Sequence, residues 1–314
     1  MPYHSKWQDL PTEAINPDTL GIDKMPTLDI IDLIGTEDRR VVAAVHKERE
    51  RIAHGVEILV SALKRGGRLF LVGAGTSGRL GLLEAAEMPL TFGTSPKLVQ
   101  AIMAGGQHAV FKTREGVEDN FEEGARSIAR LRVTKRDAVI GVSASGLTQF
   151  VRGALTGARK KGARILFVTC WHSTELQNYV ALIIEPAVGP AVIAGSTRLK
   201  AGTATKMVLN MLTTIVMIRV GKTYGNLMVD VHTGSDKLKD RAQRIVALVT
   251  GATPEEAAQL LRAARWNVKA AIVMRKAGVS YAEALSRLHR AEDSVRTALG
   301  EDPEPILRKL LKLG

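Results

Sequence analysis

Two hydroxyl-rich loops and a few carboxylates carry the chemistry this sequence can offer. The first loop, Gly73-Ala-Gly75-Thr76-Ser77-Gly78, follows a short apolar run and opens a helical stretch. Backbone N–H groups at a helix start, with the adjacent hydroxyls of Thr76 and Ser77, suit a monophosphate, whose oxygens accept several hydrogen bonds. The same glycines match the dinucleotide pattern G-x-G-x-x-G, which also requires an acid at the end of the next strand to hold a ribose hydroxyl. Here that strand ends Ile102-Met103-Ala104-Gly105-Gly106, with no acid. Phosphate binding is therefore preferred over a dinucleotide, and over a bare glycine turn.

The second loop, Ser143-Ala144-Ser145-Gly146-Leu147-Thr148, also sits between an apolar run and a helical stretch. A single serine cluster is more often a helix cap than a site. Two such loops at the same ends of strands in one sheet, however, face one crevice and make a clamp for one phosphorylated sugar. A third segment, Gly195 to Asn210, places Ser196 and the cations Arg198 and Lys200 at the entrance of a long helix. Within it Thr203, Lys206 and Asn210 recur at helical spacing, which by itself reads as a solvated face. The carboxylates to weigh are Glu84 and Glu87 after the first loop, then Glu115 and Glu118. The histidines (His4, His46, His54, His108, His172, His232, His289) show no metal-ligand spacing, and no metal site is expected. Ser145 is not in a G-x-S-x-G elbow, which argues against a serine hydrolase.

The elements that must position these loops alternate. Apolar runs at Leu69–Val72, Leu98–Met103, Ala138–Val142, Ile165–Thr169 and Ala181–Ile184 read as buried strands. Helical stretches around Leu80–Glu87, Glu118–Leu131 and Phe150–Lys160 separate most of them. Pro89 biases Met88 away from helix, so the first of these is expected to end near Glu87. The pattern predicts an α/β fold: a doubly wound, mostly parallel sheet with ligands at the carboxyl ends of its strands. Ahead of the sheet, helices are expected over Thr27–Ile34 and from about Glu37 to Lys64. A long helix over Arg198–Val220 follows it, and Thr253-Pro254-Glu255-Glu256 reads as a further helix start. The expected organisation is an irregular N-terminal arm over 1–25, the sugar-phosphate domain over 26–251 and a small helical C-terminal unit over 252–314.

Composition narrows the function classes. Lys and Arg total 44 against 32 Asp and Glu, a formal charge of +12. The excess is dispersed, without a basic run or an aromatic-basic stripe, so small phosphorylated anions are favoured over nucleic acid. The polar start and the short apolar stretch Met207–Val220, with Arg219 inside it, predict an intracellular protein with no membrane partner. The single cysteine, Cys170, excludes a disulfide framework and fits a reducing compartment.

In order along the chain, Thr12-Glu-Ala-Ile-Asn16-Pro17, Gly73-Ala-Gly-Thr-Ser-Gly-Arg-Leu-Gly81, Glu87 with Pro89, Thr91, Phe92 and Gly93, Ala104-Gly-Gly106, Glu115-Gly-Val-Glu118-Asp119 and the block Gly195–Asp230 resemble the N-acetylmuramic acid 6-phosphate etherase family. The resemblance covers nearly the whole chain. It implies the sugar isomerase (SIS) fold and a cytoplasmic homodimer with its site near the subunit interface. The implied reaction is lyase cleavage of the D-lactyl ether of N-acetylmuramic acid 6-phosphate, giving N-acetylglucosamine 6-phosphate and D-lactate, with no cofactor. The two catalytic acids of the family fall on Glu87 and Glu118. Substrate and phosphate binding fall on Gly75, Thr76, Ser77, Gly78, Ser143, Ser145, Gly146, Thr148, Ser196 and Lys200. Three positions depart from the family pattern: Leu147 and Gln149 stand where arginine and proline are usual in the second loop, and Met88-Pro89 replaces Cys-Pro. The competing readings are a divergent SIS protein that binds or isomerises another hexosamine phosphate, and a non-catalytic sugar-phosphate sensor.

Overall fold

The computed structural model describes residues 10, 12–112, 114–171, 177, 179–231 and 233–301. The expectations that fall on His4, His172 and His232, on the start of the arm and on 302–314 lie outside these residues. Five strands, β1 (Leu69–Gly73), β2 (Val99–Met103), β3 (Ala138–Val142), β4 (Arg164–Val168) and β5 (Leu182–Ile184), form one sheet in the order β2-β1-β3-β4-β5. Every pairing is parallel, and β1 and β3 are buried along their whole length. Both faces of the sheet are covered, which is why these strands read as continuous apolar runs rather than as alternating ones.

Strand order reverses once. The chain leaves β1 in one direction to make β2, then returns past β1 to make β3 on its other side. The connections after β1 and after β3 therefore diverge, and a crevice opens between them at the carboxyl edge of the sheet. Both hydroxyl-rich loops are those connections.

The helices are α1 (Thr27–Lys47), α2 (Arg49–Lys64), α3 (Gly75–Phe92), α4 (His108–Phe111), α5 (Phe121–Arg130), α6 (Gln149–Lys160) and α7 (Lys200–Arg219). Three differ from the sequence expectation. First, the break between the two N-terminal helices falls at Glu48 and not at Gly35-Thr36. The Glu48 carboxylate accepts the Glu185 N–H at 3.0 Å at the end of β5, a long-range contact invisible to local pattern. Second, α3 runs through Pro89 to Phe92. A proline inside a helix costs about 3 kcal/mol. Burial of Met88 and Phe92, each worth about 1.5–3 kcal/mol, offsets that cost. Third, Glu118 lies in a 3-10 turn, Val117–Asp119, and α5 begins only at Phe121, capped by Asn120.

The chain folds as two compact units. The first runs to Ala85 and resumes over Pro96–Thr214; it contains the sheet. The second takes Ala86–Ser95 and the described chain from Ile215 onward. This division comes earlier than the boundary expected at 252. Tyr224, Val229, Ile245 and Val246 bury themselves in the same core as Leu261, Ile272 and Leu288, so the segment before 252 belongs with the helices after it. The second unit holds a hairpin of β6 (Thr223–Tyr224) and β7 (Leu227–Met228) around Gly225, then α8 (Asp236–Thr250), α9 (Pro254–Ala263), α10 (Val268–Ala277), α11 (Tyr281–Arg290) and α12 (Val295–Ala298). The helix start expected at Thr253 is present as a reciprocal capping box with Glu256. Gly93 has φ +59° and its Hα faces the Asp230 carbonyl, where a Cβ would stand 2.2 Å from the oxygen. The Asp230 carboxylate pairs with Lys222 at 2.9 Å and with buried Lys269 at 2.5 Å. Burial holds the Lys269 ammonium below its ordinary value, although Asp230 pulls it back up.

The register of β1 against β3 is locked just ahead of both strands. Buried Asp137 accepts the Arg68 N–H at 2.8 Å, the Arg68 guanidinium at 2.9 Å and the Thr134 N–H at 2.7 Å. Burial by itself would raise this carboxyl, but the hydrogen bonds from Arg68 and Thr134 win and hold it below the usual aspartate range. Its folded pKa is thus depressed, so the stabilisation is complete above about pH 4 and is lost as pH falls through the folded value. Asp137→Ala is expected to cost about 3 kcal/mol in urea unfolding at pH 7. The gap between variant and parent should narrow when the titration is repeated in acid.

Candidate active site

Three helices of the first unit begin at one cavity of about 240 Å³: α3 at Gly75, α6 just after Thr148, and α7 at Lys200. Each helix start presents N–H groups without intrahelical partners and the positive end of a helix dipole. The first loop contributes Gly75, Thr76 and Ser77 to the wall, and the second Ser143, Ser145 and Thr148. The start of α7 adds Thr197 and Thr205. Both loops are shaped by close contacts. A Cβ on Gly78 would stand 2.8 Å from the Gly73 carbonyl oxygen and 2.8 Å from the Met103 side chain, so only glycine lets α3 start directly against the end of β1. Across the second loop the Ser143 and Thr148 hydroxyls hydrogen-bond at 2.8 Å, and Gly146 turns between them at φ +73°. Gly78 and Gly146 thus shape the loops without lining the cavity.

The segment between β2 and α5 also reaches the lining, bringing Arg114, Glu115 and Glu118 to the cavity. Two features hold it there. Arg79, in the first turn of α3, donates to the carbonyls of Val110 at 2.8 Å and Ala109 at 2.9 Å. Beyond Glu118, α5 packs on α6 at backbone contact. A Cβ on Gly124 would be 2.0 Å from the Phe150 carbonyl, and one on Gly153 would be 1.9 Å from the Phe121 carbonyl. The glycines of the two helices therefore set where the Glu118 turn begins.

The remaining candidates lie elsewhere. Lys200 does not line the cavity. It is buried, and its ammonium pairs with buried Glu37 at 2.5 Å, where Asn16 donates at 3.0 Å and Arg40 pairs at 2.6 Å. Ser196 lines a small neighbouring void with Lys200 and Cys170. Burial pushes the Cys170 thiol up to about 12, so it stays protonated. Leu147 is half-buried and is not a lining residue. Glu84 is buried and binds Lys206, together with the Thr213 hydroxyl at 2.7 Å. The stripe expected to be solvated is thus split: Thr203 and Asn210 are exposed, whereas Lys206 turns inward. Glu87 is exposed on α3, flanked one turn either way by exposed Leu83 and Leu90, and it is not among the cavity-lining residues. The helix α7 is long and apolar enough to cross a membrane by length and composition. Its side chains Val208, Leu209 and Leu212 are fully buried, however, and Lys206 and Thr213 form polar contacts with Glu84, as in the core helix of a folded domain.

Comparison with known proteins gives matches of three kinds. Residues 51–159 match the model of the glucokinase regulatory protein N-terminal SIS domain, and residues 249–274 match that of a UBA-like domain. A solved phosphoheptose isomerase from Francisella tularensis aligns with 61% of this chain and 98% of its own, at 18% identity and a TM-score of 0.46. Much closer in sequence is an N-acetylmuramic acid 6-phosphate etherase of Picosynechococcus, 46% identical over 92% of this chain and 96% of the relative. The etherase of Rubrobacter xylanophilus is 48% identical over 95% and 98%, and that of Geobacillus thermodenitrificans 47% over 93% and 99%. The chain belongs to the N-acetylmuramic acid 6-phosphate etherase family. The sensor and isomerase readings give way to this one.

As a member of that family, the chain has cavity residues that residue patterns alone did not single out: Arg79, Arg114, Thr197 and Thr205. Arg79 was within reach of sequence reasoning, because a cation directly after a phosphate-type loop is a signal. Thr197 and Thr205 lie in the third hydroxyl-bearing segment, but nothing local says that the start of α7 returns to the β1–β3 crevice. The α5–α6 contact makes a direct prediction. Gly153→Ala should force the two helices apart, with about 1–3 kcal/mol lost in denaturant unfolding. If that contact sets the Glu118 turn, kcat of the folded variant should fall about tenfold or more.

Proposed function

We propose that this protein is a carbon-oxygen lyase that cleaves the D-lactyl ether at C3 of N-acetylmuramic acid 6-phosphate. The products are N-acetylglucosamine 6-phosphate and D-lactate, as in the recycling of cell-wall sugars. The reading is carried by identity of 46–48% to etherases of that name across more than nine-tenths of the chain. The cavity supports it: its hydroxyls and three helix starts fit a phosphate, and Glu118 adds a carboxylate to the same lining.

The chemistry needs a base and an acid. In the open-chain sugar the C2 proton lies next to the C1 aldehyde. A carboxylate removes it, and the electron pair moves to the carbonyl oxygen. Collapse of this enolate breaks the C3–O bond, and the departing lactyl oxygen takes a proton from a carboxylic acid. Water then adds at C3, its proton returning through the same groups. Glu118 lines the cavity and is assigned as the base; Glu87 is assigned as the acid. Thr76, Ser77, Ser145 and Thr148 hold the phosphate.

Glu87 lies nine residues after Gly78, roughly 13 Å along α3. That exceeds the span of a hexose ring. Its exposure between Leu83 and Leu90 fits a helix face that meets a second copy. We assign a homodimer in which each Glu87 serves the partner's cavity. The substrate class and the single cysteine fit the cytoplasm.

Lactate release from N-acetylmuramic acid 6-phosphate, measured beside other hexosamine phosphates, tests the activity; no release would overturn it. Glu118→Gln should lose lactate release and C2 proton exchange in heavy water by a factor of about 10² or more. Glu87→Gln should release almost no lactate yet still exchange the C2 proton, read by proton NMR of recovered substrate. The opposite pattern would reverse the two roles. For the shared site, a Glu87→Gln subunit mixed with a Thr76→Ala/Ser77→Ala subunit should regain activity, since one cavity in the mixed dimer has every group. Mixtures as dead as their parents would refute it.

A further inference from the structure

The substrate of the proposed reaction carries two separate anions, the phosphate at C6 and the carboxylate of the lactyl group at C3. The phosphate is met by helix starts and hydroxyls. The carboxylate, three carbons away along the sugar and on a side branch, has to find its own partner within the same cavity. The ionisable side chains among the described lining residues are Arg79, Arg114, Glu115 and Glu118. Two of these are acids. A carboxylate about 4 Å from one of them is repelled by about 1 kcal/mol in water and several-fold more where the effective dielectric is lower. A substrate with this second charge is admitted only where a cation outweighs that repulsion.

The two arginines are not equivalent. Arg79 is half-buried and donates from Nε and from one terminal nitrogen to the carbonyls of Val110 and Ala109, which is a bracing role. Arg114 is exposed, immediately precedes Glu115, and lines the cavity from the same segment as Glu118. Among the described residues, no hydrogen bond or ion pair engages its guanidinium. The second loop supplies no cation, since Leu147 is apolar and stands outside the cavity lining. Resting on the etherase reading above, we propose that Arg114 binds the lactyl carboxylate of the substrate and is the residue that distinguishes the muramic acid phosphate from its own product. A guanidinium matches a carboxylate with two parallel hydrogen bonds, which an ammonium cannot reproduce. Holding the carboxylate also holds the leaving group beside the wall that carries Glu118. Once lactate departs, the sugar that remains has no group for Arg114, which favours release of the product.

The test is direct binding by calorimetry in the full-length Glu118→Gln background, which blocks turnover. The ligands are N-acetylmuramic acid 6-phosphate and N-acetylglucosamine 6-phosphate, which share the phosphate and differ in the lactyl group. Arg114→Leu is expected to weaken the first about 10- to 100-fold, the size of a charge-assisted hydrogen bond, and to leave the second within about twofold. Arg114→Lys should fall between parent and leucine variant for the first ligand. Retained affinity for the product-type ligand shows that the variant is folded. Equal loss for both ligands, or loss for neither, overturns the proposal. A lactate assay on the unmutated protein is run beside it. Absence of lactate there would refute the reaction, while the two binding constants still decide whether Arg114 reads the carboxylate.

Discussion

Everything at the cavity depends on one topological constraint, the reversal of strand order between β1 and β3. In a parallel sheet every connection must cross over one face, and two crossovers that leave in opposite directions cannot cover the edge between them. The gap is a consequence of backbone geometry and exists before any side chain is chosen. The chain has filled it with short, hydroxyl-bearing loops and three helix starts. These helix starts bring positive potential from backbone dipoles to the cavity.

Several carboxylates in this protein fasten the fold. Asp137 locks the approach to β1 and β3, Glu48 marks the break between α1 and α2, and Glu37 gathers Asn16, Arg40 and Lys200 around one buried carboxylate. Glu84 does the same between α3 and α7. Removing one partner of such a buried group leaves an uncompensated charge, so these residues are intolerant for reasons of folding. This bears on how the family's polar residues are read. Lys200 looks like a ligand for an anion in sequence, yet its ammonium is committed to Glu37.

The segment between β2 and α5 is built differently from the two hydroxyl-rich loops. It is a connection of 3-10 turn and short helix, braced by Arg79 at one end and by the Gly124–Gly153 crossing of α5 and α6 at the other. Loops on a rigid scaffold are the usual place for groups that select and transform a ligand. Here that segment carries Arg114, Glu115 and Glu118, so these side chains and the hydroxyl-rich loops reside on separately built parts of one lining.

The five strands, the parallel sheet and the meeting of both hydroxyl-rich loops at one cavity were legible in the sequence, because buried parallel strands are uniformly apolar and helix starts need particular residues. The family was legible too, since its motifs are local runs such as Gly73–Gly81 and Glu115–Asp119. What local pattern could not supply was anything decided by partners distant in the chain. The break at Glu48 depends on Glu185, the helix through Pro89 on burial of Met88 and Phe92, and the commitment of Lys200 on Glu37. The membership of 215–251 in the C-terminal core depends on Leu261, Ile272 and Leu288. Periodicity reports whether a side chain is buried, but it does not say which group it is buried against. That pairing is a property of the folded chain, and it separates the carboxylates that fasten the structure, Glu37 and Glu84, from Glu118 at the cavity.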